Sequence, residues 1–188
     1  LMLLLAKYPE MLTAAARDET PIAATPEAGR KAASMQLRCA RHEAHGDLET
    51  IQALLRERRW GDGLPLIPPT VERVERMLAR NGYSPERVIA SIAPGFGAAT
   101  LEAIAANAVM AGCAPEHLPL LVAAVKAVAE PQFNLQGIQA TTNPVAVWVV
   151  VNGPAADHLG VNAAINCLGE GTCVNAALGR ALHLVLQN

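Results

Sequence analysis

The apolar run Val145 to Val150 within VAVWVVVNGP is rich in β-branched side chains and does not alternate with polar residues. That pattern predicts a strand covered on both faces. RVIASIAP reads as a second buried strand, and GFGAAT as a connector whose Thr100 caps the helix LEAIAANAVMA. Elsewhere the apolar blocks predict helices. Asp47 stands ready to cap one over 48–59, and Thr70 caps VERVERMLAR, stopped at Asn81-Gly82. Between them WGDGLPLIPPT turns at Asp62-Gly63 and runs extended, because Pro65, Pro68 and Pro69 disfavour helix. A further apolar helix follows from Pro115 or Pro119 to Glu130, and the last begins near Thr172 and runs almost to the end.

The first 45 residues differ in character from the rest. LMLLLAKYPEMLTAAARD and GRKAASMQLRCARHEAH read as two helices joined by the loop DETPIAATPEAG. Their Met, Leu and Ala stripe reads as packing or oligomerisation surface, so this arm is expected to lie on another subunit. The expected architecture is α/β, with a small buried sheet wrapped by alanine-rich helices over residues 46–188 and a helical arm over 1–45.

Composition narrows the function. Hydrophobic residues make up 52% and aromatics 3%, so the core must be built from Ala, Val, Leu and Ile. Fifteen Lys and Arg against seventeen Asp and Glu leave a net charge of -2, which gives no general attraction to nucleic acid or anionic lipid. Basic residues interleaved with aromatics are absent too. The opening LMLLLA is far below the roughly 20 apolar residues of a membrane span, and a cytoplasmic chain with a small-molecule or protein partner is expected. Cys39, Cys113, Cys167 and Cys173 are too sparse for a disulfide framework, so reduced thiols are expected. His42, His45 and His117 form no metal pattern with them, and no metal or cofactor is indicated.

Three constellations carry candidate chemistry. In NAVMAGCAPEHLP, Gly112 can end one helix and leave Cys113 just ahead of the next. A thiol at a helix N-terminus has a lowered pKa, so Cys113 is a candidate nucleophile, with His117 as its base and Glu116 orienting that base. The competing reading is a small buried cysteine at a helix corner. In LGEGTCVNAALGR, Gly171 and Thr172 precede a helix start that can cradle an anion, and Arg180 can reach it only by folding back two turns. Here too an ordinary glycine-bearing helix start competes. Asparagines crowd 143–175, of which Asn152, after the strongest strand, and Asn175 are the best candidates for binding substrate. Asn107 and Cys113 would lie about 120° apart on one continuous helix. A break at Gly112 is therefore expected to turn both toward the loop at Gly169 to Thr172.

WGDGLPLIPPTVERVERML, TLEAIAANAVMAGCAPEHLPLLVAAVKA and VVVNGPAADHLGVNAAINCLGEGTCVNAALGRAL, with the spacing between them, resemble a bacterial family. Its members accompany, or are fused to, UGSC-type proteins, thiol or selenol proteins named for a selenocysteine-Gly-Ser-Cys motif and often labelled thioredoxin-like. The resemblance spans about residues 58–187 and implies Asp62, Asn107, Cys113, Glu116, Asn152, Gly153, Asn175 and Arg180 as signature positions. The chain holds no Cys-Gly-Ser-Cys element, and it stops at Asn188 where similar proteins continue into a Gly-, Pro- and acid-rich segment. If that segment completes the site, this chain is expected to be a fragment or one subunit. Two functions follow as expectations. One is an enzyme, or the substrate-binding subunit of one, acting on a small polar carboxylate or thiol compound. The other is a non-catalytic scaffold subunit for a separate UGSC-type redox protein, as a homo- or hetero-oligomer.

Overall fold

The computed structural model describes residues 2–5, 37–79 and 84–188. In chain order the elements are β1 (Met2–Leu5), α1 (Leu48–Glu57), α2 (Val71–Leu78), β2 (Val88–Ile92), β3 (Gly97–Thr100), α3 (Leu101–Ala111), α4 (Leu118–Val128), α5 (Leu135–Ala140), β4 (Val147–Val150), α6 (Pro154–Leu159) and α7 (Cys173–Gln187). Short 3-10 turns at Pro115–His117 and Pro131–Phe133 lead into α4 and α5.

The sequence LEAIAANAVMA is apolar on every side, and a helix of that kind must be covered on every side. α3 accordingly forms the centre, with α2, α4 and α7 packed on it. Leu101, Ile104, Ala105 and Ala108 of α3 are at most 1% exposed. Ala177 and Ala181 of α7 are buried as well, so small side chains let the helices approach closely. Fully buried Leu118, Leu121, Val125 and Val128 place α4 against the same core. Each such side chain contributes about 1.5–3 kcal/mol through burial.

The architecture is α/β with little sheet, as the pattern predicts, but the sheet is divided. β1 pairs in parallel with β4, and β2 pairs antiparallel with β3. Neither pair is deeply buried: Val147 to Val150 are half-exposed along their whole length, and Val88 is exposed. The GAAT part of the expected connector is strand β3, because hairpin pairing with β2 satisfies its backbone.

The expected helical arm is corrected where the structure describes it. Met2–Leu5 is a strand in register with Val147 to Val150, since pairing with a β-branched run outweighs the helical preference of leucine. Residues 37–45 are irregular. There the N–H groups of Arg38 and Cys39 donate to the Glu102 carboxylate at 2.8 and 3.0 Å, so they do not climb a helix. Leu37 packs against the core and the His42 ring stacks on Trp60 at 4.9 Å. These parts of the arm lie on the chain's own body. The remainder of both expected helices, and the stop at Asn81-Gly82, fall outside the described residues.

Candidate functional site

The NAVMAGCAPEHLP corner forms as the glycine signal predicts. Thr100 Oγ1 accepts the Ala103 N–H at 3.2 Å to start α3. Gly112, with φ 90° and ψ 20°, ends it. The N–H groups of Gly112 and Cys113 donate to Val109 and Ala108 carbonyls at 3.0 and 2.9 Å, the paired bonds of a Schellman stop. Any side chain at Gly112 must adopt this left-handed conformation.

The chemistry of the corner departs from the expected one. Cys113 is buried, and its thiol is pushed up to about 12, first by desolvation and then by the nearby Cys173. The expected lowering fails because Cys113 closes the preceding helix and the following turn, Pro115–His117, is only three residues long. Burial dominates over so weak a dipole. His117 is also buried, and its Nδ1 accepts the Ala114 N–H at 3.1 Å. Desolvation lowers its pKa, with Glu116 acting in the opposite direction. The ring therefore caps its own turn, and among the described residues no hydrogen bond joins it to the Cys113 thiol. Glu116 is exposed.

Asn107 faces elsewhere. Its Nδ2 donates to the Ala103 carbonyl at 2.9 Å, and its Oδ1 accepts from Asn188 Nδ2 at 2.8 Å. Asn188 also donates to the Trp60 carbonyl at 3.0 Å. α7 runs back along α3, so its start lies near Cys113 and its end near Asn107. A helix of 15 residues separates those ends by about 22 Å. Asn107 therefore lies at the opposite end of α7 from the Gly169 to Thr172 loop, whereas Cys113 lies near the start of that helix, beside Cys173.

That loop is organised by amides. Asn175 Oδ1 accepts the Asn162 N–H at 3.0 Å, and its Nδ2 donates to the carbonyls of Asn162 and Cys167, both at 2.9 Å. Asn162 Nδ2 donates to Ile165 O and to Thr172 Oγ1, and Asn166 Nδ2 donates to Glu170 O at 2.7 Å. Thr172 is the N-cap residue of α7 by position, yet its hydroxyl turns to Asn162 and makes no cap bond. Gly171 has φ 101° and is exposed. Asn152 stands exposed just beyond β4. Arg180 points away from the helix start: its Nε and one terminal nitrogen grip Asp62 at 2.7 and 2.8 Å, and it reaches Pro65 O at 3.0 Å. The Arg180 guanidinium holds the Asp62 carboxyl at about 2.

Two structural side chains escape the sequence reading. Glu102, 4% exposed, clasps the 38–39 backbone, and its signal is that it is the sole charge in an apolar helix. Gln52 both donates to and accepts from the Leu66 backbone, at 2.7 and 3.0 Å, holding the Trp60 to Leu66 turn against α1. Among the described residues no buried side-chain nitrogen or oxygen lacks a partner, and no cluster of His, Cys, Asp and Glu can hold a metal. No described helix is long and apolar enough to cross a membrane. Comparison with family models, with curated proteins and with solved structures finds no match to this chain.

Proposed function

We propose that this chain is a non-catalytic subunit that docks a separate thiol or selenol protein of the UGSC type. The observation that carries the reading is the loop over 162–171. Asn175 ties its backbone to the start of α7, and Asn162 and Asn166 brace it from within, while Ile165 and Leu168 stand 94% and 76% exposed on it. Large apolar side chains held out on a braced loop are suited to bury against a partner, because little ordering is needed on binding. The choice of partner rests on the resemblance to proteins that accompany UGSC-type chains. A buried, protonated Cys113 and a His117 that caps its own turn are poor equipment for nucleophilic catalysis.

Binding of a purified UGSC-type protein to this chain, measured by calorimetry, tests the reading. Ile165→Asp with Leu168→Asp is expected to weaken it at least tenfold and leave the unfolding temperature unchanged, since both side chains are exposed. An equal affinity for the double variant would refute the docking loop. Turnover of a small thiol or carboxylate compound that is lost in Cys113→Ser would instead restore the catalytic reading.

A further inference from the structure

At the other end of α7, the close of α1, the turn after Trp60 and Gln187 surround an open cleft of about 340 Å³. That volume is within the range of small-molecule sites. Arg56 lines it from the last turn of α1, and Arg59 from the stop just beyond. Both are exposed, and among the described residues neither guanidinium has a hydrogen-bond or carboxylate partner. The lining contains no acidic side chain. Asp62, in the adjoining turn, is committed to Arg180.

The opposite wall is apolar. Leu55 and Leu66 are buried there, and Leu64 is left 61% exposed. The turn is held in place from both sides: Gln52 binds the Leu66 backbone, and Gln187 Nε2 donates to the Gly61 carbonyl at 2.9 Å. Gly61 packs so tightly that a Cβ would stand 2.6 Å from Leu66 Cδ1. Gly63, by contrast, has nothing within 4 Å of where its Cβ would be, which keeps the cleft open on that side.

We propose that this cleft binds a small carboxylate bearing a short apolar chain. The carboxylate sits between the two guanidiniums, whose planar forks match it in a bidentate way. The chain lies along Leu55, Leu64 and Leu66. This site is independent of the docking loop, which is at the far end of α7.

Titration of the full chain with hexanoate, acetate and inorganic phosphate, followed by NMR of the backbone amides, tests the site. Hexanoate is expected to saturate below about 10 mM, shifting the amides of Gly61 and Gly63, and to bind more tightly than acetate or phosphate. Arg56→Gln with Arg59→Gln should weaken hexanoate at least tenfold. Leu64→Ser should weaken hexanoate severalfold and leave acetate unchanged. Because all three positions are exposed, the amide spectra away from the cleft report that the variants remain folded. The proposal is overturned if hexanoate fails to saturate, if the arginine variant binds it equally well, or if phosphate binds as tightly as hexanoate. Arg56→Gln alone, which leaves the Arg59 stop intact, gives the same decision should the double variant unfold.

Discussion

α3 and α1 end through the same pair of backbone hydrogen bonds. At the end of α3 these join Gly112 to Val109 and Cys113 to Ala108; at the end of α1 they join Arg59 to Arg56 and Trp60 to Leu55, at 3.0 and 3.1 Å. Both left-handed residues are alike in geometry, with φ 90° at Gly112 and φ 57° at Arg59. Their chemistry is opposite. α3 is buried on every side, so its stop delivers a neutral thiol into the core, whereas α1 has a wet face and its stop leaves a guanidinium in an open cleft. The hydrogen-bond motif sets where the chain turns, and the dielectric around it sets what the side chains can do.

The largest test of this contrast is thiol reactivity. With its pKa raised from an ordinary 9.0 to about 12, Cys113 holds about a thousandfold less thiolate than an unperturbed cysteine at neutral pH, since each unit is tenfold. Its alkylation by iodoacetamide, read by mass spectrometry of the 113-containing peptide, should be slower by about that factor. A rate equal to that of exposed Cys173 would break the comparison. The same shift has a stability consequence. Because the folded pKa is the higher one, the unfolded chain loses its thiol proton first as pH rises, and stability falls between about pH 9 and 12 by about 1.4 kcal/mol per pH unit. Cys113→Ala should remove that component.

Next in size is the brace behind the Trp60 to Leu66 turn. Asp62 has its pKa lowered from 3.8 to about 2 by Arg180, and the pair is mostly shielded, with side-chain exposures of 22% and 14%. A depressed carboxylate stabilises the fold above pH 3.8 and loses that contribution as pH falls toward 2. Asp62→Asn should lower urea stability by about 2 kcal/mol at neutral pH and flatten the acid limb.

Smaller still is the backbone contrast itself. Gly112→Ala forces a Cβ into a left-handed conformation and should destabilise by about 1–2 kcal/mol, although that Cβ would meet Ile67 Cδ1 at an ordinary contact distance of 3.6 Å. Arg59→Gly relieves the same strain at the other stop. Its expected gain is under about 1 kcal/mol, because glycine also adds entropy to the unfolded chain. Chemical denaturation of the two variants checks both signs; a destabilised Arg59→Gly would mean that Arg59 makes contacts worth more than its strain.

Local signals in the sequence account for much of the helical framework. Asp47 and Thr100 cap α1 and α3 through their side chains, Gly112 stops α3, and α7 starts after Thr172. These are short-range effects of side chain on neighbouring backbone, and so they are written in adjacent residues. VAVWVVVNGP likewise marks β4 through its own β-branched run. The sequence could not say that Met2–Leu5 would pair with it, since that bond joins segments far apart in the chain.

The site residues show the same division more sharply. Asn107, Cys113, Asn175 and Arg180 have the right types for chemistry, but a side chain's role depends on what faces it across the fold. Asn107 meets Asn188, Asn175 ties down the 162–167 backbone, and Arg180 meets Asp62. Cys113 is largely shielded from solvent, which reverses the pKa shift expected from its place near a helix start. Residue type and local spacing were determined by the sequence alone; partner, burial and therefore charge state were decided by tertiary packing, because electrostatic and desolvation energies depend on distances and surroundings that adjacent residues do not encode.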